Sequence, residues 1–202
     1  MLNKKNILLF ILFAFSTFVS AQYYVIGQDP ASVKWMQIKT GNFTIIFPKG
    51  FENNAQKLAN TFAVVHEKAS ATIGMPPKKM PIVIHNRSVS SNAFSLWAPK
   101  RIEFYSCPPQ DNYAQDWLDQ LAIHEYRHAA QINTLNTGFT KALSWLFGEQ
   151  ISATSLGLFV PSWLMEGDAV ATETALSYSG RGRIPSFEMR IRAQILEEGL
   201  YS

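Results

Sequence analysis

Two short stretches carry side chains whose types and spacing suit catalysis. Residues 124–128 read HEYRH, which puts His124 and His128 four apart with Glu125 after the first. On a helix four residues make a little more than one turn, so both imidazoles point the same way. Two such imidazoles can share one zinc ion at about 2.0–2.1 Å each. Glu125 is rotated from His124 by about 100°, beside the ion, where it can take a proton from a water held there. Catalytic zinc needs a third protein ligand and keeps one position for water. The stretch WLMEGDAVATE offers Glu166 for that place. Gly167 beside it is unusual in a helix interior, where glycine costs about 1 kcal/mol against alanine; a close backbone approach at a metal would account for it. Glu173 comes seven residues, or two turns, after Glu166. From there it can accept a hydrogen bond from the outer nitrogen of a ligand histidine. The competing explanation is two core histidines and an ordinary solvated acidic face. Trp163 and Val170 share that face and argue against simple solvation.

These groups need two helices to carry them and a scaffold to bring the helices together. The histidines continue the stripe Trp117, Leu121, His124, His128, which has the spacing of a buried helical face over about 114–134. Pro161 opens the helix of Glu166. Upstream, VKWMQIKT and NFTIIFPKG alternate apolar and polar around Gly41-Asn42 and read as a hairpin. A helical stretch from Phe51 to Ala69 follows, closed by Gly74. PIVIHN and RIEFYSC read as strands, and RSVSSNAFSLWAPK between them as irregular chain. The apolar stretch from Phe139 to Phe159 reads as helix packed in the core, and FEMRIRAQILEEGL as a last helix. Strands first and helices afterwards indicate an α+β domain. His66 reads as a core histidine, His85 as structural, and Arg127 as facing away from the metal side towards an acidic neighbour.

The ends and totals set the setting. Residues 1–21 hold Lys4 and Lys5, an apolar run from Ile7 to Phe18 and small residues up to Ala21. That is the pattern of a secretory signal peptide cut before Gln22, and the run is too short to span a bilayer about 30 Å thick. The protein is therefore expected to be exported, periplasmic or secreted, with residues 22–202 as one domain and no transmembrane span. Removing the signal lowers the formal charge from +3 to +1, because two lysines leave and no acid does. Nothing in that balance asks for nucleic acid. Cys107 is the sole cysteine, so no disulfide closes within the chain. Ser202 follows directly on the last helix, which predicts further domains beyond residue 202.

His124, Glu125 and His128, followed 37 residues later by Glu166 in a Trp-Leu-x-Glu-Gly context, resemble the gluzincins. These are zinc peptidases with two histidines and a distant glutamate as ligands. The likeness is to the aminopeptidase-like branch and the peptidase-MA-like domains, and it covers roughly residues 80–178. It implies a zincin-like fold: a small mixed sheet whose edge strand packs on the histidine helix, then a mostly helical lower half. It implies one zinc ion on His124, His128 and Glu166, with Glu125 as general base and Glu173 behind a histidine. It implies hydrolysis of a peptide or protein substrate. By the same resemblance the strand at 101–106, with Glu103, Phe104 and Tyr105, would be the edge on which an extended peptide pairs. The family's oxyanion-stabilising tyrosine would be sought in Tyr178 or Tyr201. The Gly-x-Met-Glu-Asn segment of true aminopeptidases is absent, and APKRIEFYS stands in its place. The rival expectation is a catalytically inactive zincin-fold binding domain of the cell envelope.

Overall fold

A computed structural model describes residues 29–110, 115–151, 154 and 160–199. The expected signal peptide at 1–21 and Tyr201 lie outside the described residues. The chain is a mixed α+β protein. Five strands, β1 (Trp35–Lys39), β2 (Phe43–Pro48), β3 (Met80–His85), β4 (Ala93–Trp97) and β5 (Lys100–Tyr105), form one sheet in the order β1-β2-β3-β5-β4. The helices among the described residues are α1 (Glu52–Lys68), α2 (Trp117–Leu135), α3 (Gly138–Phe147), α4 (Ser162–Leu176) and α5 (Met189–Glu198). A single 3-10 turn, Arg181–Arg183, follows α4.

The hairpin β1–β2 is antiparallel, while β2–β3 and β3–β5 are parallel. Parallel neighbours need a crossover, and α1 supplies it between β2 and β3. Alternation along the strands decides which face is covered. Phe43, Ile45 and Phe47, then Ile82 and Ile84, then Ile102 and Phe104 are buried on one side. Against them lie Leu58, Phe62 and Val65 of α1 and Ala122 and Tyr126 of α2. Strand residues of opposite parity, such as Thr44, Ile46 and Val83, are half-buried. The result is two layers, a sheet with helices on one face, and α4 packs on the far side of α2.

Two sequence expectations change here. The stretch expected to be irregular contains β4, which pairs antiparallel with β5 and ends the sheet. Its polar residues hid a short strand whose alternation is broken by Ser95. β5 therefore lies between β3 and β4 and is not the edge. Phe104 is in the core, Tyr105 is buried and stacks on His85, and Glu103 is bound by Arg101. The apolar stretch after α2 also differs. No residue of α3 is buried, and Phe139, Trp145, Leu146 and Phe147 are between 64% and 83% exposed. Its apolar residues gather on one side, away from Thr140, Lys141 and Ser144, and most of that side is left open to solvent. Residues 152, 153 and 155–159 of that stretch lie outside the described residues. No helix among the described residues is long and apolar enough to cross a membrane.

Candidate metal centre

α2 starts where Asp116 caps it, accepting the backbone N–H of Leu118 and Asp119 at 3.1 and 3.3 Å. From Gln120 to Ala130 every residue is buried. One side of the helix meets α1 and the sheet; the other forms the floor of a cleft. Trp117, Leu121, His124, His128 and Ile132 lie along that floor at helical spacing. The stripe read from the sequence is thus the cleft floor, continued by one more turn. The cleft encloses about 720 Å³, with β4 on one wall and Met165, Glu166 and Arg181 on the other. Ser95 ties wall to floor, donating its hydroxyl to the Glu125 carbonyl at 2.7 Å.

α4 brings Glu166 over the two imidazoles. Its carboxylate oxygens stand 3.4 Å from His124 Nε2 and 3.4 Å from His128 Nε2, and the two Nε2 atoms are 3.1 Å apart. Ligands on a tetrahedron of radius 2.0–2.1 Å are separated by about 3.3 Å. The two Nε2 atoms, and each Nε2 with its nearer Glu166 oxygen (Oε2 for His124, Oε1 for His128), are close to that separation, and one ligand atom from each of the three residues lies within 4.8 Å of the others. The histidines are 7% and 8% exposed, whereas the Glu166 side chain is 61% exposed and opens towards the cleft. Among the described residues these are the three groups that could hold an ion together. A Cβ on Gly167 would meet nothing within 4 Å, so no close backbone approach explains that glycine.

The outer nitrogens of both histidines are held. Glu173 is 0% exposed and its Oε2 lies 3.0 Å from His124 Nδ1. An N–H on Nδ1 leaves the Nε2 lone pair facing Glu166. His128 Nδ1 donates to Gln131 Oε1 at 2.9 Å, and Gln131 Nε2 donates to Asp168 Oδ2 at 2.6 Å and to the Met165 carbonyl at 3.0 Å. Arg127 turns away from the cleft and grips Asp168 with two bonds, Nε to Oδ2 at 2.6 Å and Nη2 to Oδ1 at 2.7 Å. That pairing holds the Asp168 carboxyl below its ordinary range. Burial would raise Glu173, but the bonds from His124 and Arg181 prevail and hold it at about 2. Burial pushes the Glu125 carboxyl up, against the pull of the two neighbouring imidazoles.

Glu125 is 6% exposed and lines the cleft beside both histidines. Tyr178 is not there. α4 ends at Leu176, Ser177 turns to extended backbone, and Tyr178 projects fully into solvent outside the cleft wall. Trp163 is likewise 72% exposed, not on a packed face with Glu166. Glu103, Phe104 and Tyr105 do not line the cleft; Asn92 to Leu96 do. His66 packs between Phe43 and Tyr126 and meets the Tyr126 hydroxyl at 2.7 Å. His85 is paired with Asp29. Sequence reasoning passed over Gln131, Asp168 and Arg181. Gln131 was legible, since it stands three residues after His128 on the same helix. Arg181 sits in a Ser-Gly-Arg-Gly-Arg stretch that reads as solvated loop. No family model matches the chain, and no curated protein matches it.

Proposed function

We propose that this chain is an exported zinc-dependent peptidase with a zincin-like fold, of the gluzincin kind. The observation that carries the reading is the cluster of His124, His128 and Glu166: the two Nε2 atoms are 3.1 Å apart, Glu166 Oε2 is 3.4 Å from one and Oε1 is 3.4 Å from the other. Two imidazoles and one carboxylate are a donor set of catalytic zinc sites, in contrast to the thiolate-rich sets of most structural ones. When bound, the ion supplies Lewis acidity, acidifying a water and polarising a carbonyl.

The chain's own residues do the rest. Glu173 and Gln131 orient the two rings. The Glu125 carboxylate takes the proton from the attacking water and returns it to the departing amine nitrogen. Its burial favours proton uptake, as a general base of this kind needs. β4 receives the substrate backbone. Tyr105 N–H donates to the Asn92 carbonyl at 3.0 Å, so Asn92, Phe94 and Leu96 spend their backbone groups on β5. The N–H and C=O of Ser95 then point outwards, where an extended peptide adds as a further strand.

The test is zinc content and turnover of casein by wild type and by Glu125→Gln. The expectation is zinc in both at one ion per chain and a fall in turnover of about 10²–10⁴ in the variant. Zinc should also raise the melting temperature of the wild type, by about 2.7 kcal/mol of stability at a hundredfold excess over Kd. The second reading is a zincin-fold binding domain of the cell envelope without catalysis. It is favoured by one observation: among the described residues no tyrosine lines the cleft. Absence of turnover in both proteins, with or without zinc, would favour it, and absence of zinc binding would remove the peptidase reading.

A further inference from the structure

Arg181 has no part in the mechanism above, yet it forms the cleft wall next to His124. It stands on the 3-10 turn, and two glycines bring that turn against α4. A Cβ on Gly180 would lie 2.5 Å from Thr174 Cα, and one on Gly182 would lie 2.8 Å from Thr174 Oγ1. The first of those is backbone and cannot yield. Gly182 N–H donates to Thr174 Oγ1 at 3.0 Å, and Arg183 Nη2 donates to the Thr174 carbonyl at 3.0 Å. Gly-Arg-Gly is thus a clip seated on the last turns of α4, and it delivers the guanidinium between them.

That guanidinium meets Glu173 fork to fork. Arg181 Nε donates to Oε1 and Nη2 to Oε2, each at 2.9 Å, and the Arg181 backbone N–H also donates to Oε1 at 2.9 Å. A bidentate pair fixes the plane of a carboxylate as well as its place. Arg181 Nη2 also lies 2.6 Å from His124 Nδ1 and 3.4 Å from His124 Nε2. The two ring nitrogens flank Cε1, and their in-plane axes diverge. A group this near to both sits over the ring and off the in-plane axis of Nδ1. That axis is left to Glu173 Oε2 at 3.0 Å. Without the guanidinium, Glu173 keeps one bond at each oxygen, from the Arg181 backbone N–H at Oε1 and from His124 at Oε2; the fork adds a second to each.

We infer that Arg181, held by the Gly180–Gly182 clip, is a positioning residue that locks the plane of Glu173 and so aims His124 Nε2 at the cation. The inference rests on the zinc reading of His124, His128 and Glu166. A simpler role, neutralising a buried charge, would be met by any cation at this place; the positioning role needs the fork.

The test uses the full chain, with zinc affinity measured by competition against a chelator and the visible spectrum of the cobalt(II) form as a second readout. Arg181→Gln and Gly180→Val should each weaken zinc binding by about 10- to 100-fold. Arg181→Lys keeps the charge and loses the fork. It should fold, yet bind zinc about 10-fold more weakly, with a cobalt spectrum shifted from wild type. Arg183→Gln, on the same turn, should bind as wild type. Wild-type affinity and spectrum in Arg181→Lys would overturn the inference while leaving the zinc site standing. Absence of zinc binding in the wild type would instead overturn the proposed function and the inference with it. Gly180→Val at wild-type affinity would show that the clip does not place Arg181, and would overturn that part.

Discussion

Replacing Asp168 by alanine tests whether α4 is anchored to α2 through charge. Arg127 has a side chain only 6% exposed, and Asp168 satisfies it with two bonds of 2.6 and 2.7 Å. The remaining guanidinium bond, to the Ala69 carbonyl at 2.8 Å, survives the substitution. Removing one partner of a buried ion pair costs about 3–5 kcal/mol, because the other charge is left dry. The Asp168 side chain is 33% exposed, so water can follow it into the gap. The expected loss is therefore lower, about 2–3 kcal/mol. For a domain of this size that is a fall in melting temperature of roughly 5–10 °C. Urea unfolding of wild type, Asp168→Ala and the pair Arg127→Met with Asp168→Leu would measure it. The double variant should recover most of the loss, since an apolar pair leaves no stranded charge. Gln131 also loses a 2.6 Å acceptor, so His128 should be looser and zinc affinity lower in Asp168→Ala. A loss under about 0.5 kcal/mol, or a double variant no more stable than the single, would refute this account of the anchor.

Two further outcomes follow from the same contacts. Glu173 is held at about 2 against an ordinary 4.5, so the folded state binds fewer protons than the unfolded chain between those values. Its contribution, roughly 3 kcal/mol, is complete above pH 4.5 and is lost as the pH falls towards 2; acid unfolding in chelator should be shallower for Glu173→Gln, and an unchanged acid profile would contradict the assignment. Ser95→Pro removes an outward N–H from an edge strand, where proline is tolerated; KM for peptides should rise with kcat less affected, Ser95→Ala controlling for the lost hydroxyl bond to Glu125, and an unaltered KM would place the substrate elsewhere.

The spacing of His124, His128 and Glu173 could be read without coordinates because a helix is a local object. Its turn sets which residues share a face, so the cleft floor from Trp117 to His128 was visible as a stripe. The hairpin, α1, α2 and the start of α4 at Pro161 were visible for the same reason: alternation, helical period and a breaking residue are encoded within a few positions. Sheet order is not local. That β5 is interior and β4 the edge depends on which strands meet after the chain folds back, and nothing within 93–105 states it. The exposure of α3 was hidden likewise, since an apolar helix looks the same whether or not another element covers it. Sequence alone determined that two imidazoles face one way with a carboxylate beside them. Only the tertiary structure decided that Glu166 lies over both imidazoles and that Arg181 stands behind His124. The 3.4 Å contacts join α2 to α4 across more than thirty residues of chain, and packing sets such distances where sequence spacing cannot.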